Sequence, residues 1–568
     1  MAPAPAEPAP ANPAPENPAP ANPVPAEPVC DCGAVANTEV AVVHESTCPL
    51  YQAPVEQSAE EPKPVVQMTP AESGTRIDPA RSGNCGAAGN ETNVTWALTQ
   101  NNADNNNPTC TLTLTGTGAM ADYGTKETPW YLKREAITQI ILPEGLTSIG
   151  ESAFLQTNIT DITIPSTVTS IGTIAFWNCN TICTEIPAAV TKIGATAFYG
   201  NFTLTVNEGN QAYLAENNVL YNKDKTKLVQ VSRLIKEFTI PNTVTEICDF
   251  AMNGCKLLTG TLTMPDSVRT VGNGAFGGTN YTGIVLSENM TEIGDAAFSG
   301  LPLSGELIIP DTITEIGANA FAKCKSLTEI NIPETVTSIG YAAFSFNTGV
   351  TKITVPLGDI TYGKNAEGKS YIFSMCNIDE NKVAVSGNLK TVVIGSTPKD
   401  VNVYTLFSNS WKGLETLVLG SGVGELDVWN LSDSGNLSKV LYPSTLTLTR
   451  SNDRFTNVAT KYTLATETSL PFGDTLPMLS FDKQAPTGIT YTSSHPEIVS
   501  VDANGNMKAL QLTNEPVTIS ASYEDCVFTK LTLTVLKDAS SAAISGMNNA
   551  YPYTGEEVKP VPTVKLGD

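Results

Sequence analysis

Residues 332–344 read IPETVTSIGYAAF, and residues 309–321 read IPDTITEIGANAF. The same pattern recurs along much of the chain. Aligned on its proline, it gives Pro143, Pro165, Pro187, Pro241, Pro265, then Ser287 in the proline's place, then Pro310 and Pro333, at steps of 22, 22, 54, 24, 22, 23 and 23 residues. A period in the low twenties, interrupted once by an insertion, is that of a leucine-rich-repeat solenoid, in which each unit buries its core only by stacking on its neighbours.

The columns of this alignment have physical readings. Phenylalanine preceded by alanine recurs at Phe154, Phe176, Phe198, Phe276, Phe298, Phe321 and Phe344, with Met252 in the remaining unit. A stacked aromatic beside a small residue lets coils pack without voids. Gly150, Gly172, Gly194, Gly272, Gly294, Gly317 and Gly340 form a second column, which a positive φ or a close backbone approach would require, and Cys248 breaks it. Before the proline, alternation in Leu327–Pro333 sends Ile330 and Ile332 inward and Glu329 and Asn331 outward. After it, Val336 and Ile339 point inward, while Thr337 joins Thr147, Thr169, Thr191, Thr245, Thr291 and Thr314 in an external threonine ladder.

The long step holds NNVLYNKDKTKLVQV (217–231), two strand-like runs about the polar turn 223–226, which predicts a hairpin projecting from one coil. Beyond Phe344 the columns blur, though similar spacing persists at Leu389, Leu414 and Leu437, as in degenerate terminal coils.

The flanks differ in kind. Residues 1–82 are rich in proline, alanine and glutamate, as in PAPENPAPANPVPAEP (13–28), and read as an extended, disordered spacer. Residues 83–134 are expected to form a β N-terminal cap, 135–460 the solenoid, and 461–537, with TYTSSHPEIVSVDANGNMKAL (490–510), a β-sandwich. Residues 538–568 look like the opening of a further such module, which suggests a fragment of a longer protein.

The unit IPxxVTxIGxxAF resembles the BspA-like leucine-rich repeat of bacterial surface proteins over roughly residues 135–450. The cap resembles that family's amino-terminal segment at Cys85-Gly86, Asn93–Leu98, Leu112–Met120 and Pro129-Trp130, and Val219–Asn222 is another family feature. The stretch SSHPEIVSVDANGNMKAL is similar to group-2 bacterial immunoglobulin-like modules, which usually serve as spacers. The resemblance implies a secreted or cell-wall-associated bacterial protein that adheres to proteins or glycans on host or neighbouring cells. The other reading is a structural wall component or spacer without a specific ligand.

Composition narrows the chemistry. The 33 basic and 57 acidic residues give a net charge of −24 with no segregated basic patch, which disfavours nucleic acid and anionic membranes. No apolar run reaches the length of a membrane span. MAPAPAEPAP has neither the basic nor the apolar region of a signal peptide. Only two histidines occur, His44 in the linker and His495 in a turn, and no phosphate, nucleotide, GxSxG or HExxH motif is present, so neither an enzyme nor a cofactor is expected. Cys30, Cys32, His44 and Cys48 have the ligand types for zinc, but no regular structure surrounds them, and the other readings of linker cysteines are disulfide-bonded or free thiols. Cys85 and Cys110 are a candidate bridge, whereas Cys179, Cys255 and Cys324, three places after the phenylalanine column, read as buried small hydrophobes. The candidate partner face is the outward strand stripe of Asp161, Glu185, Glu237, Glu306, Glu329 and Asn331.

Overall fold

A computed structural model describes residues 81–102, 107–180, 182–366, 370–374, 377–378, 384–385, 388–397, 411–431, 434–450, 453–536, 543–545 and 563–565. The proline-rich linker with Cys30, Cys32, His44 and Cys48 lies outside them, as does most of the segment after Leu536.

The chain winds as a β-solenoid with a sheet on each of two faces. On one face two-residue strands stack in parallel, from Glu246–Ile247 through Thr270–Val271, Glu292–Ile293, Glu315–Ile316 and Ser338–Ile339 to Thr361–Tyr362. The other face carries longer strands, running from Ser304–Leu307 and Ser326–Asn331 through Lys352–Val355, Thr391–Ser396 and Thr416–Gly422 to Lys439–Pro443 and Ala459–Leu464. Between the sheets the phenylalanines form a buried column, with Phe276, Phe298, Phe321, Phe344 and Phe373 stacked at centroid separations of 5.1 to 5.7 Å. Phe373 thus continues the column beyond the coils in which the sequence pattern is clear.

Hydrogen bonds between coils set the spacing. Threonines of the external ladder donate their hydroxyls to the carbonyl one coil back, Thr169 to Thr147 at 3.1 Å, Thr191 to Thr169 at 3.4 Å, Thr314 to Thr291 at 3.1 Å and Thr337 to Thr314 at 3.2 Å. The glycine column serves close approach: a Cβ on Gly317 would lie 2.6 Å from the Asp295 nitrogen, and one on Gly340 would lie 2.2 Å from the Ala318 nitrogen. Positive φ occurs instead two residues later, at Ser152, Ile174, Thr196, Phe250, Ala296, Asn319 and Ala342, where the chain turns toward the phenylalanine. Of the two reasons for glycine that the pattern allows, the structure selects contact with the previous coil.

The N-terminal cap is the sheet of Arg81–Asn84, Val94–Gln100 and Cys110–Gly116, whose last strand pairs in parallel with the first coil strand, Ile137–Ile141. Trp130 closes the aromatic column by stacking on Phe154 at 6.2 Å and donating its indole N–H to the Ala153 carbonyl at 2.9 Å. The inserted segment forms the expected hairpin, Val219–Asn222 against Lys227–Val231, but it does not project. Its second strand pairs in parallel with Glu246–Ile247, so the hairpin becomes rungs of the short-strand sheet. It also divides the core into two clusters, with Leu220 packed in the first and Val219 in the second.

Past the last coils, two small sheets enclose a third cluster. One holds Ser469–Pro471, Cys526–Leu536, Thr513–Tyr523 and Ile489–Ser493, and the other holds Thr475–Pro477, Asn506–Ala509 and Val499–Val501. This unit is not strung out as a spacer. Val393, Val418 and Leu441, outward positions of consecutive coils, are fully buried in the same cluster as Phe528, Leu531 and Leu533. The expected boundary at residue 460 falls within the strand Ala459–Leu464, which pairs with the last coil on one edge and with Leu479–Phe481 on the other.

Contacts across this seam are specific. Leu357 donates its N–H to the Val527 carbonyl at 3.0 Å, Thr529 donates its hydroxyl to Ser421 at 2.9 Å, and Lys530 pairs with Glu334 at 2.6 Å. The strand register places Gly395 and Gly420 in the column occupied by Pro333, Pro356 and Pro443. A Cβ on Gly420 would lie 2.1 Å from the Phe528 carbonyl oxygen, so the proline column gives way to glycine where the two-sheet unit rests on it.

Phe321→Ala should cost about 3–5 kcal/mol by opening a cavity in the aromatic column. A denaturant titration showing a neutral effect would contradict the inward stacking. Gly420→Val should leave the upstream coils folded while lifting the C-terminal unit from its seat. The expected sign is loss of amide-exchange protection at Leu357, and retained protection there would show that the seat tolerates the side chain.

Candidate functional site

On the long-strand face, the residue two before the proline column points outward in every coil. Its occupants run Thr263, Val285, Ile308, Asn331, Thr354, Val393, Val418 and Leu441. The first four are open to solvent to differing degrees, whereas Thr354 and the three apolar residues after it are buried. Val285 is 51% and Ile308 72% exposed, whereas from Thr163 to Thr354 the other occupants of the column are polar, and the remaining exposed aliphatic is Ile141 on the first coil.

Three of the six stripe residues come together beside this exposed pair. Thr354 donates to Asn331 Oδ1 at 2.7 Å, and Asn331 Nδ2 donates to Glu306 at 2.5 Å, so one polar chain crosses three coils. Glu329 pairs with Lys352 at 2.9 Å. Partial burial disfavours the Lys352 charge, yet the hydrogen bond to Glu329 and the fields of Glu329, Glu524 and Glu306 outweigh it and hold its pKa above the ordinary value. Glu524 belongs to the hairpin turn of the C-terminal unit, where Glu524 and Asp525 both have positive φ. The corner therefore has a floor from the coil strands, a side from the hairpin turn, and more carboxylates than ammonium groups.

The other stripe residues lie elsewhere. Asp161 sits at an isolated bridge to Cys183 and accepts from the Thr160 hydroxyl at 3.1 Å. Glu185 accepts from Asn207 Nδ2 at 2.9 Å. Glu237 is exposed in a segment without strand pairing. The inserted residues separate the coils of Asp161 and Glu185 from those of Glu306 and Glu329, whereas Glu237 follows the insertion. Sequence alternation located Glu306, Glu329 and Asn331 but passed over Val285, Ile308 and Lys352. The available signal was the apolar residue preceding Leu286 and Ile309, at a position filled by threonine, glutamate or asparagine in the other coils from Thr163 to Thr354.

The short-strand face is differently committed. Asp249, Asn273 and Asp295 each accept a backbone N–H from the next coil, at 2.7, 2.7 and 2.6 Å respectively, so one oxygen of each is used in stacking. His495, the described histidine, is exposed and lies 3.1 Å from Glu497.

The cysteines of the described residues are free thiols. Cys85 lies beyond the strand end where Asn84 faces Thr95, and Cys110 faces Gln100 at the other end of the same strand. At about 3.3 Å per residue that places the two thiols well over 10 Å apart, so this pair does not bridge. Cys179, Cys255 and Cys324 are buried, as the repeat pattern predicts, at 7%, 0% and 0% exposure. Burial pushes the thiols of Cys255 and Cys324 up to about 12. Among the described residues no helix is long and apolar enough to cross a membrane.

The sequence model of the BspA type leucine rich repeat region matches in six copies, over residues 130–232, 225–351 and 303–392. The repeats of this chain are therefore similar to that family's repeats. No curated protein matches the chain. Similar solved structures include a leucine-rich repeat protein from Eubacterium ventriosum, with 23% identity over 65% of this chain and 93% of that one and a TM-score of 0.36. The pneumococcal vaccine antigen PcpA shows 17% identity over 58% of this chain and 98% of its own, with a TM-score of 0.36. A leucine rich cell surface protein from Faecalibacterium prausnitzii shows 20% identity over 56% and 96%, with a TM-score of 0.26.

The buried thiols make stability sensitive to alkali. A thiol whose pKa is raised by folding contributes stability that is complete below its unfolded value and lost as pH rises through its folded value. For Cys255 and Cys324 that window runs from 9.0 to about 12. The denaturant midpoint should fall steadily across it. Replacing both cysteines with alanine should flatten that part of the profile, and an unchanged slope would assign the alkaline loss to other groups.

Proposed function

We propose that this chain is a non-enzymatic bacterial cell-surface or secreted protein that mediates adhesion or protein recognition through the outer, long-strand face of its solenoid. The observation that carries this reading is the uncovered stretch of that face, where aliphatic Val285 and Ile308 stand exposed among Glu306, Glu329 and Asn331. A solvated face has no need of aliphatic side chains there, whereas a recognition surface combines them with a polar rim. The match of residues 130–392 to BspA type repeats is consistent with this reading. The partner is a protein or glycan on a host or neighbouring cell.

In the same reading the C-terminal two-sheet unit is a bacterial immunoglobulin-like module of the group-2 type. It acts less as a spacer than as a cover that leaves the earlier coils open. Recognition spread over several coils makes each polar contact modest, so single alanine changes at Asp161, Glu185 or Glu306 should each cost about 1 kcal/mol or less in binding.

The test is binding of the labelled full chain to epithelial cells, to bacterial cells and to immobilised matrix proteins, with unlabelled chain as competitor. Saturable binding that the competitor removes is the expected result. Binding to none of these above background would leave the structural wall-component reading as the better account.

A further inference from the structure

The molecule itself shows what this outer face accepts. On the later coils the outward column is Val393, Val418 and Leu441, and it is covered by the strand Cys526–Leu536 of the two-sheet unit. That strand alternates aliphatic or aromatic residues with polar ones, and its Lys530 reaches back to Glu334, in the turn that follows the strand bearing Glu329 and Asn331. The covering element therefore presents apolar side chains to the outward column and an ammonium to the carboxylates beside it.

The uncovered stretch offers the same two features in the same arrangement. Val285 and Ile308 occupy the outward column on neighbouring coils, and beside them Glu329 pairs with Lys352 at 2.9 Å while Glu306 accepts from Asn331. Their coils are stacked neighbours, joined on the short-strand face at Glu292 and Glu315 and in the core by Phe298 and Phe321 at 5.1 Å, so the two aliphatic side chains form one patch rather than two isolated points. The patch continues, through Asn331 and Thr354, into the interface that the two-sheet unit already occupies.

Resting on the recognition reading above, we propose that the Val285–Ile308 patch and the Glu306–Glu329 rim dock an extended polypeptide segment that carries aliphatic and basic residues on one side, at every second position, as Phe528 and Lys530 stand in the covering strand. The aliphatic side chains cover Val285 and Ile308, and the basic ones face Glu306, Glu329 and the Glu524 turn. Attraction between the rim and the segment weakens with ionic strength because the carboxylates are solvent-exposed or half-buried.

The experiment uses the full chain with two fluorescent peptides in which every second residue is threonine and the intervening positions are valine and lysine in one and valine and glutamate in the other, read by anisotropy at low and high salt. The lysine peptide should bind saturably and lose affinity at high salt, and the glutamate peptide should not bind. Val285→Thr and Ile308→Thr keep a β-branched residue in the strand and should each weaken binding about fivefold. Glu306→Gln should weaken it further at low salt than at high. Ile141→Thr changes an exposed residue of the same column on the first coil, 46% exposed, and should change nothing.

Absence of lysine-peptide binding, equal binding of both peptides, or unchanged affinity in the threonine variants would each overturn the proposal. Binding of the same variants to whole cells separates it from the broader reading. If the Val285→Thr/Ile308→Thr double variant binds cells as well as the parent does, this patch is not the site while surface recognition stands. If the parent binds no cells yet takes the lysine peptide in the expected way, the patch stands and the broader reading falls.

Discussion

Adjacent strands in this solenoid are joined in parallel, and that joining holds each coil about 4.8 Å from the next. Every other regularity follows from meeting that distance at each point of the circuit. The glycine column exists because any Cβ there would enter the backbone of the previous coil, as Gly317 would meet the Asp295 nitrogen at 2.6 Å. The phenylalanines stack nearly face to face because equivalent residues have nowhere else to go, and their separations of 5.1 to 5.7 Å slightly exceed the strand spacing. The threonine ladder uses the same interval to pair hydroxyls with carbonyls one coil away.

Periodicity made the inner half of this architecture legible. A column repeated every twenty-odd residues names its own neighbours, so Phe321 is assigned to Phe298 and Phe344 without coordinates. What periodicity conceals is where one coil departs from the others. Alternation sorted Glu329 from Ile330, but it assigned the outward column to solvent throughout. Thr391–Ser396 and Thr416–Gly422 are apolar on both sides of the strand over Val392-Val393-Ile394 and Leu417-Val418-Leu419. Continuous apolar runs mark strands covered on both faces, and the two glycines that replace proline in those coils mark the same event.

The hairpin between Val219 and Val231 was equally visible as two strands and a turn, yet its destination was not. An antiparallel pair can project or join a sheet, and that choice depends on partners supplied by Glu246 and Ile247, more than a dozen residues later. The separation of Cys85 from Cys110 has the same origin. Both flank cap strands in sequence, but antiparallel pairing carries them to opposite ends of Val94–Gln100. Of the candidate stripe, Glu306, Glu329 and Asn331 on consecutive coils converge, Asp161 and Glu185 stand before the inserted hairpin, and Glu237 follows it in a segment without strand pairing.

The cover over the last coils also bears on how such a protein changes over generations. Between Met252 and Phe321, before the coil whose Glu334 pairs with Lys530, one coil is interchangeable with the next, so a duplicated or lost unit would find the same neighbours above and below. From Leu357 to Tyr462 that freedom ends, because contacts from the two-sheet unit must land on particular coils: Val527 on Leu357, Thr529 on Ser421, and Tyr523 on Lys439 at 3.0 Å. Length can therefore drift in the open array while the covered end keeps a fixed count. The lineage would vary its reach without altering the platform that terminates it.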